Sequence, residues 1–271
     1  MSMQKPFRAI VTGAASGIGR ATAARLNVDS IARCGRGAHL ILVDIAAEPL
    51  EAAASRLREG GAEITTIVAD LSDPDIPAHI VGEAAKVIES LDALVSNAGI
   101  IRRASLLDLA LAEYEQTFAI NTRATWLLAK AAHPLLKLAK GAIVATASLA
   151  AREPTPALGA YSASKAALVM LIQQMACDWG RDGIRANTVS PGSTLTNISR
   201  NAGIPMPAEP RAATNPLGFF ADPEDQAAVI AFLVGPDARF ITGADILVDG
   251  GARTQLMVAS GLGDPWRKAS G

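Results

Sequence analysis

The sequence predicts an α/β fold, a parallel sheet with helices packed against it. Three observations carry that expectation. Short apolar runs alternate with longer segments of helical period from Phe7 to Val248, the pattern of a sheet whose strands are buried on both faces. The first run opens into a glycine-rich loop that leads straight into a helical pattern. Later runs end in small or hydroxyl-bearing residues, and the C-terminal ends of parallel strands are where such sheets bind ligands.

Phe7-Arg8-Ala9-Ile10-Val11 reads as the first strand. Thr12-Gly13-Ala14-Ala15-Ser16-Gly17-Ile18-Gly19 follows, with a helix from Arg20. Glycines let a backbone turn tightly and approach a phosphate, and the free N–H groups of the helix start face the anion. Gly13, Ser16, Gly17, Ile18 and Gly19 are therefore candidate contacts, although the spacing is G-x-x-x-G-x-G rather than G-x-G-x-x-G. The second strand, His39 to Val43, ends in Asp44. An acid there accepts hydrogen bonds from adenosine ribose hydroxyls and repels a 2′-phosphate. Ile45-Ala46-Ala47 follow and bring no base, and Ser16 carries no positive charge, so NAD is favoured over NADP. Gly19 and Asp44 lie farther apart than the usual spacing of about 20 residues. The extra residues, from Asn27 to Gly37, read as a longer first helix and a glycine-punctuated loop.

The alternation continues with a helix from Pro49 to Gly60, a strand over Ile64–Val68 leading to Asp70 and Leu71, and a helix from Pro77 to Ser90. Ala93-Leu94-Val95 is a buried strand opening into Ser96-Asn97-Ala98-Gly99, where small residues leave room for a ring or ribose. A long helical region from Leu106 to Leu138 contains Asn121. Asparagine is a poor helix former, so Asn121 is read either as solvated or as opening the helix and holding a water. Ile143 to Ala147 is a strand ending in Ser148. The breaker-rich Arg152-Glu153-Pro154-Thr155-Pro156 precedes a helix that begins Tyr161-Ser162-Ala163-Ser164-Lys165. Ile184 to Val189 is a strand opening into Ser190-Pro191-Gly192-Ser193-Thr194-Leu195-Thr196. The region at about 193–221, most irregular from Asn197 to Phe220, carries Pro205, Pro207, Pro210 and Pro216 and reads as a substrate lid. Asp222-Pro223 signals an N-cap with proline at N1 for a helix through Val234. Asp245 to Val248 is the last strand, closed by Asp249-Gly250-Gly251. With no internal repeat and no second domain in the pattern, residues 1–251 read as one domain and 252–271 as a tail anchored by Trp266.

The chemistry centres on Tyr161 and Lys165. Residues at i and i+4 share a helix face, and a cation beside a phenol lowers its pKa from about 10. A phenol tuned in this way exchanges a proton with an alcohol or carbonyl, and the Ser148 hydroxyl is placed to hold the same oxygen. The bulk composition excludes other classes. A formal charge of −1 lacks the basic surplus of a nucleic-acid or acidic-membrane binder. The lone Cys34 and Cys177 suggest a reducing compartment, and His39, His79 and His133 are scattered, so no metal site is expected. Without a signal-peptide core or a run of about 18 apolar residues, the expected location is cytoplasmic. Arg102 and Arg103 read as solvated surface rather than as an anion-binding pair.

Together these motifs resemble the classical short-chain dehydrogenase/reductase (SDR) family over about Phe7 to Gly251. The carriers are Thr12-Gly13-x-x-x-Gly17-x-Gly19, Asp70, Asn97-Ala98-Gly99, Asn121, Ser148, Tyr161-x-x-x-Lys165, Pro191-Gly192 and Asp249-Gly250-Gly251. The resemblance implies a Rossmann-type doubly wound fold with a seven-stranded parallel sheet and helices on both faces. It implies an NAD(P)-dependent oxidoreductase interconverting a small-molecule secondary alcohol and ketone. It also implies a homo-oligomer, tetramer or dimer, built on the helices holding Asn121 and Tyr161.

Carried across, Tyr161 is the general acid/base, Lys165 lowers its pKa and binds the nicotinamide ribose, and Ser148 polarises the substrate oxygen. Asn121 orders the helix and a water relaying protons through Lys165. Asp70 with Leu71 faces the adenine, and Asn97, Ala98 and Gly99 line the adenosine ribose. Thr196 holds the carboxamide beside Pro191, Gly192 and Thr194. Ser96 departs from the family's more usual asparagine. Two further readings stay open: a 3-oxoacyl-carrier-protein reductase using NADPH, which Asp44 weighs against, and an NAD-binding sensor or scaffold without turnover.

Overall fold

The computed structural model describes residues 5–198 and 215–255. Seven parallel strands form one sheet in the order β3-β2-β1-β4-β5-β6-β7. They are β1 (Arg8–Thr12), β2 (His39–Asp44), β3 (Glu63–Val68), β4 (Ala93–Ser96), β5 (Ala142–Thr146), β6 (Arg185–Pro191) and β7 (Asp245–Val248). The strand order reverses beside β1, which pairs with β2 on one side and β4 on the other. The crevice outside that reversal is where an open α/β sheet takes its ligand.

Alternate residues of each strand serve opposite faces. Ile10, Ile41 and Ile143 enter one core with α3 (Ile76–Ala85), α5 (Ala124–Ala139) and α6 (Tyr161–Trp179). Ala9, Val11, Leu40 and Leu42 enter the other, with α1 (Gly17–Cys34), α2 (Ala47–Glu59) and α7 (Pro223–Val234). Helices therefore cover both faces, which is why the central strands carry unbroken apolar runs. Among the described residues, no helix is long and apolar enough to cross a membrane.

The extra residues before Asp44 lengthen α1 as expected. The helix begins at Gly17, earlier than the Arg20 start expected from sequence, and runs to Cys34. Gly35, at φ 72°, ends it by donating its N–H to the Ile31 carbonyl. Asn27 then fixes the loop, accepting from the Ala38 N–H and donating to the Gly60 carbonyl, both at 2.9 Å. A Cβ at Gly37 would lie 2.0 Å from the Gly61 carbonyl oxygen, so the two turns approach too closely for any side chain.

Two helical expectations change. The helix expected to reach Ser90 ends at Ala85, where Lys86 and Val87 turn to bonds with Glu83 and Ala84, three residues back. The region expected to be one helix from Leu106 to Leu138 starts at Leu111 and is interrupted. A short helix, α4 (Leu111–Phe118), passes through a widened π turn at Ala119–Arg123 into α5, with Ala124 N–H bonded to the Ala119 carbonyl five residues back. The expected start at Asp222 holds, with Pro223 in the first turn and a reciprocal capping box between Asp222 and Asp225. Most of the expected lid, including Pro205, Pro207 and Pro210, and the tail with Trp266 lie outside the described residues.

Candidate active site

The glycine loop leaves β1 at Thr12 and meets α1 at Gly17. Thr12 accepts two backbone hydrogen bonds through its hydroxyl, from Asn97 N–H at 3.0 Å and Ala98 N–H at 3.1 Å. This locks the ends of β1 and β4 together at the sheet's reversal point. The Asn97 side chain donates to the Thr12 carbonyl at 3.2 Å and accepts from the Thr146 hydroxyl at 3.0 Å, extending the lock to β5. Space is exhausted here. A Cβ on Gly19 would sit 2.2 Å from the Gly13 carbonyl and 2.7 Å from the Asn97 amide. Ser16, the α1 N-cap residue, makes no side-chain cap bond, and the first turn holds no acid. The amides of that turn thus remain available to an anion, and the residues present fit a dinucleotide pyrophosphate.

Asp44 ends β2 beside this loop. One carboxylate oxygen accepts from Ala15 N–H and the other from Ala46 N–H, each at 3.0 Å. The acid is thereby held at the end of its strand with lone pairs to spare. Asp70 is exposed and closes a turn by accepting from Ser72 N–H, while the Leu71 side chain is buried in the core. Thr196 packs close to Gly17, where a Cβ would lie 3.3 Å from its methyl. Thr194 faces inward instead. Its hydroxyl donates to the Gly192 carbonyl and accepts from Gln226, so that side chain shapes the loop. Pro191 ends β6, and Gly192 N–H bonds the Val248 carbonyl. A Cβ on Gly192 would strike Asp249 at 2.7 Å.

Asn121, Tyr161 and Lys165 are all buried, at 1%, 8% and 3% exposure. The Asn121 amide is fully engaged within the protein. It accepts from Ile100 N–H at 2.8 Å and donates to the Ile100 carbonyl and the Ser164 hydroxyl, both at 3.0 Å. The solvated alternative is therefore corrected, and the side chain serves as a buckle between the π turn, the segment after β4 and α6. The opening of the helix lies in the backbone. Thr122 adds a bond to the Ser164 carbonyl. Lys165 donates to the Thr146 carbonyl at 2.7 Å. A Cβ on Gly99 would sit 3.3 Å from the Lys165 nitrogen and 3.2 Å from the Asn121 oxygen, so glycine there makes room for both.

The electrostatics differ from the sequence expectation. The Lys165 ammonium lies 5.8 Å from the centre of the Tyr161 ring, one helical turn on. Yet burial raises the Tyr161 pKa above its ordinary value, and hydrogen bonding with Ser148 lowers it only in part. Burial also brings Lys165 down to about 8. Desolvation disfavours both charged forms, an effect that helix spacing alone does not reveal. Ser148 ends the β5 connection as the N-cap of a short 3₁₀ turn, Leu149–Ala151, with its oxygen accepting from Ala150 N–H.

Thr146 and Ser164 were not singled out from sequence, and Thr12 was read only as the first residue of the glycine motif. Their signal was a hydroxyl at a strand end or inside the tyrosine–lysine helix. Ser96, the departure from the family pattern, is buried and bonded to Thr125 of α5 at 2.7 Å. A small hydroxyl suits a position against that helix.

A family model described as enoyl-(acyl carrier protein) reductase matches residues 13–253. The meso-2,3-butanediol dehydrogenase of Serratia marcescens is 35% identical over 246 residues, covering 90% of this chain and 93% of that protein. The 2-(S)-hydroxypropyl-CoM dehydrogenase 3 of Xanthobacter autotrophicus is 37% identical over 249 residues, covering 89% and 94%. A solved short-chain dehydrogenase from Burkholderia cenocepacia, in complex with NADP, superposes with a TM-score of 0.82 at 35% identity, covering 93% of this chain and 100% of that one.

Proposed function

The chain belongs to the short-chain dehydrogenase/reductase family and is an NAD(P)-dependent oxidoreductase of alcohols and ketones; we propose that Tyr161 is its general acid/base and that it prefers NAD. The observation that carries this reading is the buried Tyr161 phenol, one turn from Lys165 and close enough to the Ser148 hydroxyl for it to offset part of the burial shift, on the helix docked beside the glycine loop's locked strand ends.

When bound, the dinucleotide supplies or accepts the hydride. The chain's own residues bind, orient and move the proton. The first turn of α1, with Gly13, Ser16, Gly17, Ile18 and Gly19, would hold the pyrophosphate. Asp44 would hold the adenosine ribose, Asp70 and Leu71 would flank the adenine, and Asn97 to Gly99 would border the sugar. Pro191, Gly192 and Thr196 would border the nicotinamide end. In ketone reduction the phenol, kept protonated through the neutral range by its burial, donates its proton to the carbonyl oxygen while the Ser148 hydroxyl donates a hydrogen bond to the same atom. In alcohol oxidation the phenolate accepts that proton. Lys165 is mostly charged below about pH 8 and favours the phenolate across the turn. Asn121 fixes the helices that set this distance.

The substrate class we infer is a small secondary alcohol or its ketone, in line with the named substrates of the butanediol and hydroxypropyl relatives. A carrier-protein thioester is the second reading, favoured by the description of the family model and opposed by Asp44, which disfavours a 2′-phosphate. We place the enzyme in the cytoplasm as a homo-oligomer of one catalytic domain. The free Cys34 and Cys177 support a reducing compartment, and exposed Trp126 on α5 and Met170 on α6 support assembly.

The test follows nicotinamide absorbance with NADH and NADPH over a panel of ketones, 3-oxoacyl thioesters and enoyl thioesters. Ketone reduction with NADH ahead of NADPH is the expected result. Turnover confined to thioesters with NADPH would replace this reading, and tight NADH binding without turnover would make the protein a sensor.

A further inference from the structure

We propose that Asp245, at the start of β7 and away from the reacting atoms, is a positioning residue that holds the Ser148 segment through Arg152; the inference rests on the assignment of Ser148 above. The Asp245 side chain is fully buried, at 0% exposure. A carboxylate taken out of water persists only where its oxygens are paired and hydrogen-bonded, and Asp245 meets that condition from three places. One oxygen accepts from the Thr188 hydroxyl at 2.8 Å and the Ser190 hydroxyl at 2.7 Å, both on β6. The other accepts from Arg152 Nε at 2.7 Å.

Arg152 directly follows the 3₁₀ turn that Ser148 caps. Beyond it the chain must cross to Tyr161 through Pro154, Pro156, Ala157 at φ 59° and Gly159 at φ 54°. The internal bonds of the turn are short-range, from Ala151 to Ser148 and from Arg152 and Glu153 to Leu149, so they shape the turn without placing it on the sheet. On the near side of Ser148, Ala147 N–H bonds the Val189 carbonyl of β6 at 2.7 Å; on the far side two ion pairs tie the turn down, Arg152 to Asp245, and Glu153 to Arg253 beyond β7 at 2.8 Å. Both partners of the second pair reach solvent, where such pairs contribute little. In the first pair the guanidinium is also part-exposed, but its carboxylate is fully buried, so that pair holds the turn more firmly. The same carboxylate grips β6, which runs into the Pro191-Gly192 loop. Asp245 thereby sets the substrate-oxygen donor and the loop beside it on one anchor.

Arg152→Met separates this role from simple support. Asp245 keeps both hydroxyl donors of β6, and only the link to the Ser148 segment is lost. Arg152→Gln is the conservative variant, because its NH₂ group sits at the chain position of Nε and still donates to the carboxylate. We expect kcat for ketone reduction to fall about 10- to 100-fold in Arg152→Met with NADH affinity unchanged, and to be largely retained in Arg152→Gln.

Hydrogen exchange over residues 149–160, read alongside, should rise in Arg152→Met and stay near wild type in Arg152→Gln, whether or not a substrate has been found. Unchanged kcat and exchange in Arg152→Met would overturn the proposal, as would an equal loss in Arg152→Gln. A wild-type protein without turnover on any ketone overturns the assignment of Ser148 instead, and exchange at 149–160 still decides the anchor.

Discussion

The buried Lys165 carries a testable consequence at the scale of the residue. Its pKa falls from 10.5 to about 8 in the folded chain. Between those values the unfolded chain binds the proton and the folded one does not, so stability rises with pH across that window. Below about pH 8 the folded protein bears the cost of a desolvated ammonium, on the order of 3 kcal/mol. Lys165→Met should therefore look most favourable for stability at pH 7 and lose that relative advantage towards pH 10.5. The difference in Tm between variant and wild type, followed across that range, checks the sign. A difference independent of pH would mean that the ammonium is not desolvated. The same burial acts on Tyr161 in the opposite sense, keeping the phenol protonated. The residue types and the i, i+4 spacing were legible in the sequence, but the direction of the phenol's shift was not. Spacing reports which side chains are neighbours, whereas burial is set by β5, the π turn and the segment after β4 closing around them.

The π turn between α4 and α5 decides where the site is assembled at the scale of the element. Asn121 engages both polar backbone groups of Ile100 and the Ser164 hydroxyl. Asn121→Ala leaves those groups with no partner on that side and should cost about 1–3 kcal/mol, read as a lower urea midpoint at unchanged slope; an unchanged midpoint would show the buckle to be dispensable. The strands were legible because runs such as Ile41-Leu42-Val43 are buried on both faces and carry an unbroken apolar signal. Gly13, Gly17 and Gly19 were legible because the loop admits no side chain at them: Gly13 and Gly17 take positive φ, and a Cβ on Gly19 would lie 2.2 Å from the Gly13 carbonyl oxygen. The π turn was not, since one inserted residue barely disturbs a helical period and an asparagine reports poor propensity without saying what its amide binds. The inward bonds of Thr194 and Asp245 were not legible for a related reason. A hydroxyl in a loop and an acid at a strand start both look solvent-facing in sequence, and only the neighbouring Gln226, Thr188, Ser190 and Arg152 turn them inward.

At the scale of the whole molecule, the described residues form two apolar cores pressed on one sheet, with the proposed chemistry gathered where the strand order reverses. α1, α2 and α7 brace the face behind the glycine loop, and α5 and α6 brace the face that presents Asn121, Tyr161 and Lys165. A rigid double-sided support holds a phenol, a hydroxyl and an ammonium in fixed relation to a dinucleotide groove, and the proposed reaction depends on that fixed relation. The most direct measurement is single-turnover ketone reduction by Tyr161→Phe, which keeps the ring and removes the proton. The rate should fall about 10²–10⁴-fold while NADH binds with unchanged affinity. Retention of most of the turnover would contradict the account, because the proton would then come from another group.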